Sequence, residues 1–304
     1  MNKKLVSVII PTYGGGGDGL DKTIESILSQ TYNHIEIIVV DDNGYGSANQ
    51  KSTELVLHNN NFYEKVKYIT PLQNGGGSVA RNIGAKASRG EYLMFLDDDD
   101  TVSNDKIEKQ VQALENGNGD YGLAYCSAKI YCGERYSNII KASQSGDILE
   151  KYLLGKIYIG TGTALILREA WESLGGYDES FSRHQDWEFF ARVLNRYKAI
   201  AVPDAYFNRY ILGRYSPKEL DAAERNMDHY LKFLKTYTWR LPKKTINRVV
   251  NLKNASIAII CLRKRQFKHF IAVMKKYDKP LLAYSAFIRF VFMVVLDKMK
   301  GKKS

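Results

Sequence analysis

Short apolar runs alternate with helical patterns through the first hundred residues, and this alternation constrains the fold more than any other feature. The runs Val6–Ile10, Ile35–Val40 and Tyr92–Leu96 are apolar at almost every position, which is typical of strands buried on both faces. Between them, apolar residues recur at helical spacing. In a chain of 304 residues this order predicts an α/β fold with a mixed, mostly parallel sheet flanked by helices.

Polar or acidic residues follow each of these three runs. Thr12 and Tyr13 follow the first, Asp41 and Asp42 the second, and Asp97–Asp100 the third. Ligands bind beyond the carboxyl ends of parallel strands, so we expect these side chains to meet on one rim. Four consecutive aspartates repel one another unless a cation lies among them, and carboxylate oxygens suit Mg²⁺ or Mn²⁺. A metal ion that holds a substrate diphosphate is predicted there, and a solvated acidic loop is the alternative.

The glycines after the first strand allow a second interpretation. Gly14, Gly16 and Gly19 fit the G-x-G-x-x-G pattern of a dinucleotide site, with Asp41 and Asp42 ending the next strand. The match is weak, because four consecutive glycines satisfy many patterns. It also leaves the run of aspartates without a role. An NAD-type oxidoreductase is therefore the alternative enzyme class.

The charge of the chain is unevenly divided. Residues 231–304 hold 19 Lys and Arg against 2 Asp and Glu, a net charge of +17, whereas residues 1–230 hold 25 against 31, a net charge of −6. The apolar run Leu281–Leu296 in the basic part is shorter than the ~20 residues that cross a bilayer. We predict that this tail binds an anionic membrane surface. A helical cap or homo-oligomer surface is the next alternative. Nucleic acid ranks last, because the positive charge borders apolar helices.

Cysteine usage and the N-terminus predict a cytoplasmic protein. The three cysteines form no C-x-x-C pair, which argues against a disulfide framework or a zinc ribbon. The apolar run before Pro11 is shorter than the ~7–15 residues of a secretion signal. With the basic tail, the expected location is the cytoplasm, peripheral on the inner face of the cell membrane.

Six motifs carry a resemblance to a known family. They are V-S-V-I-I-P-T-Y at 6–13, V-V-D-D at 39–42, A-R-N-I-G at 80–84, F-L-D-D-D-D at 95–100, G-G-Y-D-E-S-F at 175–181 and R-H-Q-D-W-E at 183–188. In this order they resemble the family 2 glycosyltransferases, which have the GT-A fold. The resemblance spans residues 5 to about 215. It implies a GT-A catalytic domain over 1–215, with a nucleotide-sugar-binding half at 1–115 and an acceptor half at 116–215, followed by a basic helical region over 216–304.

The resemblance also implies an activity. It is that of an inverting, non-processive transferase of the bacterial polysaccharide type, which moves one sugar from a UDP-linked donor to a glycan acceptor that is lipid-linked. The Q-x-x-R-W motif of processive polysaccharide synthases is absent from the sequence. A non-catalytic membrane-surface scaffold on the same fold is a further alternative, and the presence of both Asp99 and Asp186 argues against it.

Donor-binding roles follow from the same resemblance. Thr12 and Tyr13 would line the base pocket, and Asp42 would bind the base. Arg81 would pair with the diphosphate or bridge a rim carboxylate. Arg209-Tyr210 and Arg214-Tyr215 would close over the diphosphate as a loop.

The D-x-D motif falls on Asp97 and Asp99. Asp97 would face the ribose and the metal, and Asp99 would be the main ligand of Mn²⁺ or Mg²⁺. Asp98 occupies the middle position, which is usually a small residue in this family, and it is assigned to the nucleotide sugar.

Inverting transfer needs one base on the acceptor side, because the acceptor hydroxyl loses a proton as it attacks. Asp186 matches the catalytic aspartate of the family and lies at the start of a predicted helix, where the dipole favours a carboxylate. Without the resemblance it would be interpreted as a helix cap. Asp178 and Glu188 are alternative bases, and His184 could touch substrate.

Overall fold

The computed structural model describes residues 3–14, 19–118, 120–133, 135–211, 220–263 and 265–275. The chain divides into two compact units, Met1–Tyr215 and Ser216–Ser304, which are called unit 1 and unit 2. Three sequence expectations fall outside the described residues: part of the Gly14–Gly19 pattern, Arg214-Tyr215 and the apolar run 281–296 with the lysines after it.

The first half of unit 1 alternates strands and helices as predicted. Its elements are β1 (Val6–Thr12), α1 (Leu20–Leu28), β2 (Ile35–Asp41), α2 (Ala48–Asn59), β3 (Lys67–Ile69), α3 (Gly77–Ala87) and β4 (Tyr92–Phe95). β1 pairs in parallel with β2 and β4, and β2 pairs in parallel with β3. The last residues of β1 and β2, Thr12 and Asp41, are direct register partners. The carboxyl ends of the three predicted strands therefore meet on one rim, as expected.

The second half of unit 1 extends the same sheet with antiparallel pairs. Its elements are β5 (Thr101–Val102), α4 (Lys106–Glu115), β6 (Tyr121–Cys132), β7 (Arg135–Ile140), α5 (Leu149–Leu153), β8 (Ala164–Leu167), α6 (Arg168–Ser173), α7 (Gln185–Arg196) and β9 (Lys198–Ile211). The strand order is β3-β2-β1-β4-β8-β6-β9-β5, with β7 paired to β6. β8 lies antiparallel to β4 and β6, whereas β9 runs parallel to β6. This mixed sheet with flanking helices confirms the predicted fold class.

The close approach of α3 to β1 positions the helix that carries Arg81. A side chain at Gly84 would place its Cβ 2.4 Å from Ile9 Cγ2 and 3.1 Å from Val40 Cγ2, so only glycine permits this packing. The strand residues Ile9 and Val40 are themselves fully buried. The contact brings the N-terminal turns of α3 to the rim of the sheet.

Lys106 is a fully buried cation in the core beneath the rim. It lies at the start of α4, and its Nζ contacts Met94 Sδ at 3.5 Å. The thiol of Cys126 is its electrostatic neighbour. Burial lowers the pKa of Lys106 to about 8, because a charged ammonium is poorly solvated in an apolar core.

We expect Lys106→Met to raise the free energy of unfolding at pH 7 and to flatten its pH dependence. In the wild type the folded pKa is about 8 and the unfolded value is the ordinary 10.5, so the unfolded chain binds more protons in this window. The free energy of unfolding of the wild type therefore rises by about 1.4 kcal/mol per pH unit between pH 8 and 10.5, and that of the variant does not. Urea unfolding at pH 7, 8.5 and 10 measures this, with the exposed Lys51→Met as control. Equal pH slopes in wild type and Lys106→Met would contradict it.

Unit 2 is helical in the part that the structure describes. It contains α8 (Leu220–Thr236), α9 (Lys243–Arg263) and α10 (Phe267–Lys275). α9 packs against α8 and α10, and Tyr230, Leu234 and Val249 are buried between them. Among the described residues, no helix combines the length and apolar character needed to cross a membrane.

Candidate active site

Asp42 stabilises the loop that leads into α3. Its carboxylate accepts hydrogen bonds from the backbone N–H groups of Gly75 and Gly76 at 2.8 and 2.7 Å and from Asn74 Nδ2 at 3.0 Å. Gly76 has a φ of 85°, which glycine adopts without strain. Asp42 is 4% exposed. The structure thus gives Asp42 a structural role, and its contact with a nucleobase stays a prediction.

Asp98 ties the end of β1 to the acidic loop after β4. Its carboxylate accepts from the Thr12 hydroxyl at 2.5 Å and from the backbone N–H of Tyr13. Burial raises the pKa of Asp98 to about 6. Thr12 is almost completely buried, whereas the Tyr13 ring is 68% exposed beside it. Of the two residues predicted to line a base pocket, Tyr13 is the one whose side chain is accessible, and its contact with a base stays a prediction.

Arg81 bridges the two halves of unit 1. Its Nη2 donates to Asp97 Oδ1 at 2.6 Å, and its Nη1 donates to Gln185 Oε1 at 2.7 Å. Burial alone would lower the pKa of Arg81, but the Asp97 carboxylate raises it, so the guanidinium stays charged. Of the two roles predicted for Arg81, the structure shows the bridge to a rim carboxylate.

The remaining aspartates of the acidic run differ in accessibility. Asp100 is buried and accepts from the backbone N–H of Tyr210 at 3.0 Å, and burial raises its pKa to about 8. Asp99 is exposed, and the side chain of Asp97 is 45% exposed. Partial burial of the Asp99 carboxylate and the charge of Asp97 raise the pKa of Asp99. Two carboxylates, those of Asp97 and Asp99, therefore remain open to a ligand.

The carboxylate oxygens at this rim are suitable ligands for a divalent cation. No group of three or more His, Cys, Asp or Glu side chains in the described part of the chain is arranged to hold a metal ion by itself. Mg²⁺ typically takes only one or two carboxylates and completes its shell with substrate phosphates and water. Asp97 and Asp99 supply that number of oxygen ligands, and a cation between them would relieve the repulsion that raises the pKa of Asp99.

Asp186 lies in the first turn of α7, directly after Gln185, which accepts a hydrogen bond from Arg81. Burial raises its pKa, while the backbone N–H of Trp187 and the charge of Arg81 oppose that rise. Asp97 and Arg209 are further electrostatic neighbours of its carboxylate. A carboxylate with a raised pKa near a charged rim is suited to accept a proton.

The two alternative bases have other surroundings. Glu188 is buried and forms an ion pair with Arg192, whose Nη2 also donates to the carbonyl of Gly176 at 2.7 Å. Asp178 is exposed and accepts from the backbone N–H of Ser180 at 2.9 Å. Glu188 therefore holds the loop before α7 in place, and Asp186 is the candidate that lies beside the rim.

Arg209 is a second cation near the acidic run and Asp186. It lies on β9, in a strand rather than in the predicted loop, and its Nη1 donates to the Tyr158 hydroxyl at 3.3 Å. Burial opposes the charge of Arg209, but Tyr158, Asp100 and Asp97 together raise its pKa. Arg209 is also a charged neighbour of both Asp99 and Asp186. Tyr158 was not found by the sequence analysis.

Polar contacts from α3 to the loop before α7 were also missed. Asn82 exchanges hydrogen bonds of 2.9 Å with the backbone of Tyr177, and the Ser78 hydroxyl donates to the carbonyl of Phe181 at 3.3 Å. Ser78, Arg81 and Asn82 share one helix face by their i, i+3, i+4 spacing and are all buried. The only signal for these contacts in the sequence was the helical spacing of the polar residues Ser78, Arg81 and Asn82.

The chain is similar to known glycosyltransferases. The family model for glycosyl transferase family 2 matches residues 7–174. An uncharacterized glycosyltransferase of Haemophilus influenzae is 34% identical over 207 residues, which cover 65% of this chain and 75% of that protein. The putative teichuronic acid biosynthesis glycosyltransferase TuaG of Bacillus subtilis is 30% identical over 50% of this chain and 60% of its own length.

Two solved structures share the fold. S. aureus TarS 1–349 in complex with UDP superposes with a TM-score of 0.59 at 19% identity, covering 82% of this chain and 70% of that one. The mannosyltransferase PcManGT of Pyrobaculum calidifontis, in complex with GDP-Man and Mn²⁺, has a TM-score of 0.59 at 16% identity. The match covers 96% of this chain and 81% of that one. Fold and neighbours define a GT-A glycosyltransferase. The chain belongs to glycosyl transferase family 2, and this assignment takes the place of the oxidoreductase alternative.

Proposed function

We propose that this protein is an inverting, metal-dependent glycosyltransferase that moves one sugar from a UDP-linked donor to a glycan acceptor, with residues 1–215 as its catalytic domain. One observation carries the proposal. Asp186, a carboxylate with a raised pKa, is an electrostatic neighbour of the rim carboxylate Asp97, and Arg81 donates both to Asp97 and to Gln185, the residue before Asp186. A proton acceptor and a diphosphate-binding rim are the two parts that such a transfer needs.

Each residue of the site has a separate role in this proposed reaction. Asp186 accepts the proton of the attacking acceptor hydroxyl, and the buried Arg81 holds Asp97 in orientation. Arg209 faces the leaving diphosphate with a positive charge. The exposed ring of Tyr13 contacts the base. A divalent ion held by Asp97 and Asp99 would neutralise charge on the diphosphate.

A nucleotide panel tests the donor. We expect UDP, with Mn²⁺ present, to raise the melting temperature more than GDP, CMP or NAD, because a ligand that binds the native state stabilises it by about 2.7 kcal/mol at a hundredfold excess over Kd. The bound UDP of TarS and the GDP-Man of PcManGT support a nucleotide sugar. Tyr13→Ala should reduce the UDP shift, and the exposed Tyr136→Ala, on β7, is its control. Stabilisation by NAD alone would contradict the donor class.

For the acceptor we propose a lipid-linked glycan of cell-surface polysaccharide synthesis. The relative named for teichuronic acid biosynthesis supports a surface polysaccharide. The charge division of the chain supports a site of action at the inner face of the cell membrane. In unit 2, α10 exposes Phe267 (62%) and Ile271 (54%) four residues apart, in a stretch of sequence rich in lysine and arginine. Such a helix face suits the interface of an anionic bilayer.

Vesicle sedimentation tests the membrane proposal. The full chain should pellet with phosphatidylglycerol vesicles at low salt and much less at high salt, because exposed charges are screened over ~10 Å at 0.1 M. Phe267→Ser with Ile271→Ser should weaken the remaining attachment. Leu55→Ser, an exposed apolar residue of unit 1, is the control. Failure to pellet, together with tight duplex DNA binding, would favour the nucleic-acid alternative.

A further inference from the structure

Asp41, at the end of β2, is a carboxylate that the proposed reaction does not use. It is fully buried, although it follows an apolar run in the sequence like the other polar residues of the rim. Its Oδ1 accepts from the backbone N–H of Asn43 at 3.0 Å and from Asn43 Nδ2 at 2.7 Å, and its Oδ2 accepts from the Tyr68 hydroxyl at 2.6 Å. A buried carboxylate is costly unless hydrogen bonds satisfy it. These three bonds do so, and they direct Asp41 towards the protein rather than towards a ligand.

The side-chain amide of Asn43 connects Asp41 to the loop after β1. Asn43 Nδ2 faces the carboxylate, which only accepts, so the amide oxygen faces away from it. There, Asn43 Oδ1 accepts the backbone N–H of Gly14 at 2.8 Å. Exchanging the oxygen and nitrogen of the amide would lose both bonds, so the two contacts fix its orientation. Asn43 is therefore a link between the end of β2 and the residue that follows Tyr13.

This link and Asp98 together hold the backbone around Tyr13. The N–H of Tyr13 donates to Asp98. The next N–H along the chain, that of Gly14, donates to Asn43. Gly14 has a φ of 92°, and glycine loses more conformational freedom than any other residue when its backbone is fixed. The exposed Tyr13 ring thus lies on a backbone that is already bonded on both sides, and a ligand that contacts the ring need not order it.

The other end of this hydrogen-bond network lies in the first turn of α2. Gln50 is buried there, and its Nε2 donates to the Tyr68 hydroxyl at 3.4 Å. Burial and the bond to Asp41 raise the pKa of Tyr68, so its hydroxyl keeps the proton that it donates. Side chains from β2, β3 and α2 therefore support the amide of Asn43.

We propose that Asn43 is a positioning residue of the donor site, which holds Tyr13 in the orientation that contacts the nucleobase. The inference rests on the proposed function, because it takes the Tyr13 ring as the surface on which the base lies. Asn43 acts through the backbone of Gly14 and does not itself touch the donor. Its loss therefore weakens donor binding only as far as Tyr13 contributes to that binding.

A double-mutant cycle on UDP binding tests this role. Calorimetry of the full-length protein with UDP and Mn²⁺ gives both the affinity and the fraction of protein that binds. We expect Asn43→Ala to weaken UDP binding by ~10-fold at an unchanged binding fraction, which is the upper range for the loss of one hydrogen bond. In the Tyr13→Ala background the same substitution should weaken binding by less than about twofold, because its route to the base is gone.

Two further variants separate positioning from a loss of folding stability. Tyr68→Phe keeps the ring but removes one donor to Asp41, so it should weaken UDP binding by a smaller factor than Asn43→Ala. Asn138→Ala removes an exposed amide on β7 and should change neither the UDP affinity nor the melting temperature. A role confined to folding would instead lower the melting temperature and the binding fraction, and would leave the affinity of the remaining protein unchanged.

The outcomes are distinct. If Asn43→Ala binds UDP as tightly as the wild type, or if its effect is as large without the Tyr13 ring as with it, the positioning role is wrong and the donor proposal stands. If Tyr13→Ala binds UDP like the wild type, the positioning role fails because the ring does not contact the base. If the wild type does not bind UDP at all, the proposed function fails and the positioning role fails with it.

Discussion

Asp186→Asn is expected to lower the turnover of the donor sugar by ~10²–10⁴, which is the usual contribution of a positioned general base. Asparagine has almost the same size as aspartate, so the first turn of α7 and its bond between Arg81 and Gln185 should persist. UDP affinity should therefore stay within a factor of about two, since the rim is untouched. Turnover is measured as donor hydrolysis, in which water takes the place of the acceptor, and affinity is measured by calorimetry.

The control for this variant is Asp178→Asn, an exposed carboxylate on the loop before α7. It should change turnover little. The pH profile adds a second readout. Because burial raises the pKa of Asp186, wild-type turnover should fall on acidification at a pH above the ordinary aspartate value of about 4. Near-normal turnover in Asp186→Asn, with a large loss in Asp178→Asn, would move the base to Asp178.

Asp99→Ala is expected to abolish the dependence of UDP binding on divalent cations. In the wild type, UDP should bind at least ~10-fold more tightly with Mn²⁺ than with EDTA, because a cation shared by two carboxylates and a diphosphate offsets their mutual repulsion. Asp99 is an exposed carboxylate of the acidic run, so its removal leaves the internal contacts of Asp98 and Asp100 intact.

Asp105→Ala is the matched control, because it removes an aspartate that follows the acidic run but pairs with Lys109 instead. It should leave the Mn²⁺ effect unchanged. Calorimetric titration of UDP into the wild type and the two variants, with Mn²⁺ and with EDTA, gives the affinities for comparison. Equal wild-type affinities under the two conditions would show that the metal role is wrong.

The strands and helices of the first half of unit 1 could be predicted from the sequence because their signals are local. β1, β2 and β4 are short apolar runs, each followed closely by a polar residue, and the helices α1 and α3 are amphipathic. The acceptor half was harder to predict. β9 contains Pro203 and Asp204 and alternates irregularly, and it is stabilised by pairing with β6, more than seventy residues earlier in the chain. Such pairing leaves little trace in a local pattern.

The division of roles within the acidic run could not be predicted for the same reason. The four aspartates look alike in sequence, yet Asp98 is bonded to Thr12 and Asp100 to Tyr210, across 86 and 110 residues. These contacts leave Asp97 and Asp99 for a ligand. Arg81 had two predicted roles, and only the folded chain shows that Asp97 and Gln185 are its partners.

The anomeric configuration of the released sugar tests the central claim most directly. Proton NMR, begun before mutarotation, would follow hydrolysis of whichever α-linked UDP-sugar the wild type turns over with Mg²⁺. If Asp186 is the single base that activates the attacking hydroxyl or water, displacement is direct and the β-anomer must appear first. Initial release of the α-anomer would require retention through a second step, and would contradict both the inverting mechanism and the role of Asp186.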